Sequence, residues 1–296
     1  MQIAISGSSG MVGRALATAL EADGHDVVPL VRGNAEGIRW TPATGEIDHE
    51  KMADVEVLVH LAGENIAKGR WTKAKKERIR SSRTDATRLL CESLASMKRG
   101  PRTLISASAI GFYGDRGDEQ LDEDAASGEG FLPDVCVNWE SATQAAVDAG
   151  LRVVNLRLGM VLSRDGGALK PMLVPFKLGL GGRMGSGRQY WSWITLTDVL
   201  RVIQFVIDTP TLNGPVNAVT PVAATNLEFT KALGQALRRP TIFPMPGFAA
   251  RMLLGQMADG LILPSARVVP KKLEQAGFAF SYSELPAALS HVLGKN

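Results

Sequence analysis

Hydrophobic positions in the first half of the chain switch repeatedly between two periods. Met1-Gln2-Ile3-Ala4-Ile5 is short, apolar and β-branched, and predicts a buried strand. Val12, Ala15, Leu16, Ala19 and Leu20 then recur at helical spacing and predict an amphipathic helix that stops at Asp23-Gly24. Asp26–Arg32 reads as a second strand, with Pro29 sitting poorly in a central position. Ile38–Ile47 reads as a short hairpin around Thr44-Gly45. Val55–Leu61, Thr103–Ala109 and Leu151–Arg157 read as further strands. Between them, Ile79, Ala86, Leu89, Leu90 and Leu94 mark one buried helix face, and Val135, Trp139, Ala142 and Ala146 mark another. Strands alternating with helices predict a parallel sheet with right-handed crossovers.

From Ser163 the pattern changes. Residues 179–187 are glycine-dense and read as a flexible stretch that orders over substrate. Trp191–Leu196 predicts a strand, with Thr197-Asp198 capping a helix through Ile207. Thr225-Asn226-Leu227-Glu228 is a capping box that opens a helix to Leu237. A Met-rich helix around Arg251–Met257, its methionines read as core filler, and a helix over Pro270–Ala276 complete the chain. The expected class is α/β: a Rossmann-type doubly wound parallel sheet with a smaller, mostly helical C-terminal substrate lobe. Residues 1–165 and 194–222 are assigned to the first unit, and 166–193 and 223–296 to the second.

The strongest chemical signal is Ser6-Gly7-Ser8-Ser9-Gly10-Met11-Val12-Gly13, placed between the first strand and the first helix. Gly7 permits the tight turn, Gly10 lets a pyrophosphate approach the backbone, and Gly13 lets the helix pack closely on the sheet. The helix N-terminus adds free N–H groups and partial positive charge. An NAD site carries an acid at the end of the second strand to bond the ribose 2′-hydroxyl. Here that strand ends in Arg32, which suits a 2′-phosphate, so NADP (NADPH) is expected. After Leu61, the small residues Ala62-Gly63 would let the chain pass close to the cofactor's ribose, and Leu61, Ala62 and Gly63 are expected cofactor contacts. His60 reads as a packed strand histidine. Ser106, Ala107 and Ser108 lie toward a strand's carboxyl end, where ligands bind in open α/β sheets. Residues 68–83 hold eight basic residues and one acid, read as a solvated helix face, with Arg70, Ser82 and Arg83 worth testing near a ligand. The acid-rich 115–124 reads as a solvated loop without metal-ligand spacing, so no metal is expected.

Composition narrows the classes further. The 296 residues carry 33 basic and 30 acidic side chains, a net charge of +3. That balance gives no bulk argument for nucleic acid or membrane. Two cysteines, Cys91 and Cys136, make no disulfide framework and point to a reducing compartment. No apolar run is long enough to span a bilayer, no signal peptide precedes the first strand, and a cytoplasmic protein with a small-molecule partner is expected. Oligomeric state is left open.

These segments together resemble the extended short-chain dehydrogenase/reductase superfamily, the NAD(P)-dependent epimerases and dehydratases. Besides the glycine motif, Leu61-Ala62-Gly63, Ser106-Ala107-Ser108-Ala109 with Tyr113-Gly114, and Trp191–Val199 carry the likeness. The chain is most similar to an atypical branch labelled only as epimerase family proteins. Leu61–Ala67, Arg70-Trp71-Thr72, Ser82-Arg83, Cys136–Glu140, Pro264–Pro270 and Ala276-Gly277-Phe278 match that branch.

The resemblance implies a catalytic Tyr and Lys four residues apart on the helix after the serine strand. Here that stretch reads Cys136-Val137-Asn138-Trp139-Glu140. Glu140 cannot lower a neighbouring phenol's pKa as lysine does. The expected machinery is therefore Ser108 bonding the substrate oxygen and a partly desolvated Glu140 as base, with Tyr113 in reserve. Arg183 is an expected substrate contact. Two functions follow. One is an NADP-dependent oxidoreductase or epimerase acting on a small polar, nucleotide-linked substrate. The other is an NADP(H)-binding regulatory or scaffold protein without turnover.

Overall fold

The computed structural model describes residues 1–33 and 35–294. Lys295 and Asn296, at the end of the expected second lobe, lie outside the described residues. Seven parallel strands form the central sheet: β1 (Gln2–Ser6), β2 (Asp26–Val31), β3 (Ile38–Arg39), β4 (Val57–His60), β5 (Thr103–Ala109), β6 (Arg152–Leu158) and β7 (Gly214–Ala218). Their spatial order is β3-β2-β1-β4-β5-β6-β7. The order reverses between β1 and β4, and in open α/β sheets the crevice beyond the strands' carboxyl ends at such a point takes the ligand.

The strands are buried on both faces because both are covered by helices. Ile3, Ile5, Val57, Val59 and Ile105 pack against Leu16 and Leu20 of α1 (Met11–Ala22) and against Val199, Val202 and Ile203 of a later helix, Leu196–Asp208. The alternate residues Ala4, Leu58 and Leu104 face Ala86, Leu90 and Leu94 on Thr84–Ala95, and Ala146 on Gln144–Asp148. Pro29 is tolerated because β3 pairs only with Leu30 and Val31, leaving β2 a single strand neighbour at Pro29. The Ile38–Ile47 turn is present as a bridge between Trp40 and Ile47, with Gly45 at φ +78°.

A second core joins Leu162, Leu169, Leu173, Phe176, Phe229 and Leu289. The capping box is present with both of its bonds, Glu228 N–H to Thr225 Oγ1 and Thr225 N–H to Glu228 Oε2, and opens the helix Asn226–Leu237. The earlier cap is Thr195 rather than Thr197-Asp198. Asp198 is instead fully buried and accepts from the Ser281 and Tyr282 amides, so it anchors the C-terminal tail.

Two expectations are corrected by packing. The glycines of 179–187 are close-approach residues rather than a loose lid. A Cβ on Gly182 would stand 1.9 Å from the Phe243 carbonyl oxygen, and one on Gly181 would meet the Phe176 ring at 2.7 Å. The acidic 115–124 segment is a clasp. Glu123 is buried and accepts from the Asn217 and Lys272 amides, while Asp122 and Asp124 hold Lys271 at 2.8 and 2.7 Å.

Candidate active site and cofactor cradle

At the switch point the ends of β1 and β4 nearly touch. A Cβ on Gly7, which stands at φ +72°, would lie 2.9 Å from the Ala62 nitrogen. A Cβ on Gly13 would lie 2.3 Å from the Gly7 carbonyl oxygen and 2.8 Å from the Ser8 Cα, backbone atoms that cannot swing aside. The turn is closed by the Gly10 amide donating to Gly7 O at 2.9 Å. Gly10 caps α1 without a side chain, so no side-chain oxygen competes for the first-turn amides near Met11 and Val12. Ser8 and Ser9 lie on the turn itself. Gly166 and Gly167 pack over Met11, whose sulfur would be 2.6 Å from a Cβ on Gly166. Arg32, beyond the end of β2, is exposed and has no hydrogen-bond or acidic partner among the described residues.

Beneath the cradle runs a polar chain that sequence reading did not anticipate. Ser6 Oγ accepts from the Leu61 and Ala62 amides at 3.1 and 3.3 Å. Its own proton is then free for His60 Nδ1 at 2.7 Å, which assigns the ring proton to Nε2, facing Thr87 Oγ1 at 3.1 Å. Trp139 Nε1 donates to the same Thr87 oxygen at 3.1 Å. His60 is wholly buried, and burial pushes its pKa down to about 4. It is the packed histidine expected, and it orients β4 rather than moving protons.

Gly63 is covered by Arg83, whose guanidinium carbon would be 3.4 Å from a Cβ there. Arg83 donates to the Glu64 carbonyl at 3.0 Å and lies over the Trp139 ring. The basic run is only partly a solvated face, because Lys75 is buried and held by Glu64 Oε1 at 2.5 Å and by the Asn65 carbonyl at 2.6 Å. The hydrogen bond from Lys75 lowers the Glu64 pKa. Arg70 reaches across to the Met252 carbonyl at 3.0 Å.

The three expected catalytic residues do come together, through a residue the sequence reading passed over. Ser108 Oγ donates to Glu140 Oε1 at 2.7 Å. Arg157, from β6, grips both Glu140 oxygens at 2.8 Å. Its Nη1 donates to the Tyr113 hydroxyl at 2.8 Å, and its plane stacks 3.5 Å above the Phe112 ring centre. The Tyr113 hydroxyl also lies 2.7 Å from Asn217 Oδ1 and 2.9 Å from the Asp122 carbonyl. Burial works against the Arg157 charge, but Glu140 and Tyr113 outweigh it and raise its pKa. Tyr113 therefore has a cation partner, an arginine, yet its side chain is fully buried and burial pushes its pKa up to about 12. Cys136, at the superfamily's tyrosine position, is also buried and pushed up to about 12, first by desolvation and then by Glu140. Ser106 is fully buried, and Ala107 is buried beside it. Arg183 folds back on the Gly185 carbonyl at 2.7 Å in the second lobe, and no hydrogen bond joins it to Ser108, Glu140 or Tyr113. The signal for Arg157 was a charge at the carboxyl end of the strand Arg152–Leu158, where open α/β sheets place their ligands.

Comparison with known proteins agrees with this architecture. The NAD dependent epimerase/dehydratase family matches residues 3–219. The chain belongs to that family. A domain of unknown function, DUF1731, matches residues 245–292. An epimerase family protein of Mycobacterium bovis, Mb2239, is 46% identical over 292 residues, covering 98% of this chain and 96% of that protein. The Bacillus subtilis epimerase family protein YfhF is 35% identical, with 99% and 98% covered. The crystal structure of human epimerase family protein SDR39U1 with NADPH superposes with a TM-score of 0.90 at 30% identity, covering both chains fully. Among the described residues no helix is long and apolar enough to cross a membrane, and no cluster suits a metal ion.

Proposed function

We propose that this family member binds NADPH and carries out oxidoreductase or epimerase chemistry on a small polar, nucleotide-linked substrate. The observation that carries the reading is the glycine turn at the β1–β4 switch point: a Cβ at Gly7 or Gly13 would collide with the backbone of Leu61-Ala62 or of Gly7-Ser8, so only glycine closes the turn, and α1 begins with no side-chain cap on its first amides. Gly7, Ser8, Ser9, Gly10, Met11, Val12 and Gly13 would hold the pyrophosphate, and Arg32 the 2′-phosphate. Leu61, Ala62, Gly63, Ser106 and Ala107 would line the cofactor's inner side. The human relative's structure with NADPH supports the same choice of cofactor. Bound NADPH supplies a hydride.

Ser108 is the residue proposed to bond the substrate oxygen, and Glu140 to receive or return a proton. Because Arg157 occupies both Glu140 oxygens, that role requires the ion pair to loosen when substrate enters. Arg183 is proposed to reach substrate only from the second lobe. The closed Ser108–Glu140–Arg157–Tyr113 network favours one second reading: a protein that binds NADPH and reports or scaffolds without turnover. Monitoring NADPH oxidation against carbonyl compounds and nucleotide-linked keto-sugars separates the two. Oxidation slowed roughly 10²-fold by both Ser108→Ala and Glu140→Gln, with NADPH affinity unchanged, supports the enzyme. Tight NADPH binding with no oxidation across the panel supports the second reading, and failure to bind NADPH overturns both.

A further inference from the structure

The second lobe carries a surface that the cofactor site does not use. Residues 169–188 and 231–254 contain eight lysines and arginines and no acid, although the whole chain is close to balanced. All eight cations are exposed, and among the described residues only Arg251 has a carboxylate partner, Asp259 at 2.8 Å. The same segments hold most of the chain's large exposed hydrophobics. Val174 and Leu178 stand one helical turn apart at the end of the helix Leu169–Lys177. Leu180, Ile242 and Phe243 follow on strands of loop that run side by side, joined by the Arg239 side chain on the Lys177 carbonyl at 2.8 Å and by the Met245 amide on the Arg183 carbonyl at 2.8 Å. The helix Gly247–Leu254 comes next and is turned inside out. It buries Ala250 completely, while Phe248 is 68% exposed, Met252 75% and Leu253 61%.

We propose that this face is a peripheral docking surface for an anionic lipid bilayer. Three observations select that occupant. The apolar side chains project from a helix and two loop edges instead of lining a groove, which suits insertion among acyl chains. The cations share these segments with them, and among the described residues all but Arg251 lack a carboxylate partner, which suits phospholipid headgroups of opposite charge. A second copy of the chain would bring an equal cluster of cations against the first, because a twofold contact places the same patch on both sides. The helix Gly247–Leu254 thus lies along the headgroup boundary, with Phe248 and Met252 one turn apart on its lipid side. Lys177 and Arg188 supply charge at the rim.

Vesicle flotation tests this with the full chain. Phosphatidylcholine vesicles containing phosphatidylglycerol should carry the protein up the gradient at least about tenfold more than pure phosphatidylcholine vesicles, and high salt should release it. Phe248→Ser with Met252→Ser should abolish flotation, and Lys177→Glu with Arg188→Glu should weaken it about tenfold. All four positions are exposed, so the thermal midpoint should stay put and serves as the folding check. Equal binding to neutral vesicles, or binding that survives loss of Phe248 and Met252, overturns the proposal. So does no flotation together with a dimer in solution that the Phe248→Ser, Met252→Ser variant dissolves, since the face then joins two copies.

Discussion

The carboxyl end of the sheet is built in two ways on either side of the switch point. Around β1 and β4 the backbone is pared down to glycine, the first turn of α1 is capped by no side chain, and Arg32 stands bare. Around β5 and β6 the opposite holds: Ser108, Glu140, Arg157, Tyr113 and Asn217 satisfy one another, all buried except Glu140, which is part-buried. Polar groups left unpaired at a fold's ligand crevice are prepared for a partner that is not protein. Polar groups already paired in a buried network contribute to the architecture and must exchange partners before they can act on a ligand. The difference supports the proposal that cofactor binds on the first side, with the cost of any catalysis falling on the second.

The largest test of this contrast is Arg157→Leu. It leaves the part-buried Glu140 with Ser108 as its remaining side-chain donor, and should cost about 3 kcal/mol in urea unfolding, the low end for a broken buried pair. Adding Glu140→Leu to the same chain should recover most of that loss. If Arg157→Leu is neutral, the network is not holding β5, β6 and the helix Phe131–Ser141 together.

The polar chain beneath the cradle predicts a pH effect. Burial holds the His60 pKa near 4, against 6.5 for the free side chain. Above pH 6.5 the ring is neutral in folded and unfolded chains alike, so it adds no pH slope there. As pH falls from 6.5 toward 4, the unfolded chain takes up a proton that the folded chain refuses, and stability drops by about 3 kcal/mol. Unfolding followed across that window should show the decline, and His60→Gln should flatten it even though its starting stability is lower. An unchanged slope in the variant would remove His60 as the cause.

On the open side the effects should appear in binding rather than in folding. Arg32→Ala should weaken NADPH about 10- to 100-fold, leave NADH where it was, and leave the urea midpoint unchanged. Equal affinity for the two cofactors in the unaltered protein would withdraw Arg32 from the site. The smallest expected change is Ser108→Ala, about 1 kcal/mol of stability, because Glu140 keeps both bonds to Arg157. A much larger loss would mean that the serine, rather than the arginine, organises the network.

The glycine turn between β1 and α1 was legible because its geometry is local. Gly7, Gly10 and Gly13 follow a β-branched strand and open an amphipathic helix, and each is required by backbone geometry within a few residues of itself. The capping box at Thr225 was legible for the same reason, since Glu228 supplies its partner three residues on, and the strand Thr103–Ala109 was legible from its own residues although its ladder partners, β4 and β6, are distant in sequence. Alternation of strand and helix was enough to imply the parallel sheet.

What pairs across the fold was decided by tertiary structure alone. Glu140 and Arg157 meet because β5, β6 and the helix Phe131–Ser141 converge, and nothing within 17 positions of sequence states that they will. Glu123 is buried only because Asn217 and Lys272 arrive from distant segments to donate to it. The glycines of 179–187 looked like freedom, and packing of Gly181 against Phe176 and of Gly182 against Phe243 turned those two into close contacts. The methionines near Arg251 looked like core, yet the helix Gly247–Leu254 buries Ala250 completely and leaves Met252 75% exposed. Local sequence sets backbone conformation through sterics and short-range hydrogen bonds. Burial and charge pairing depend on which remote surfaces the chain brings together, and that is settled only when the whole fold closes.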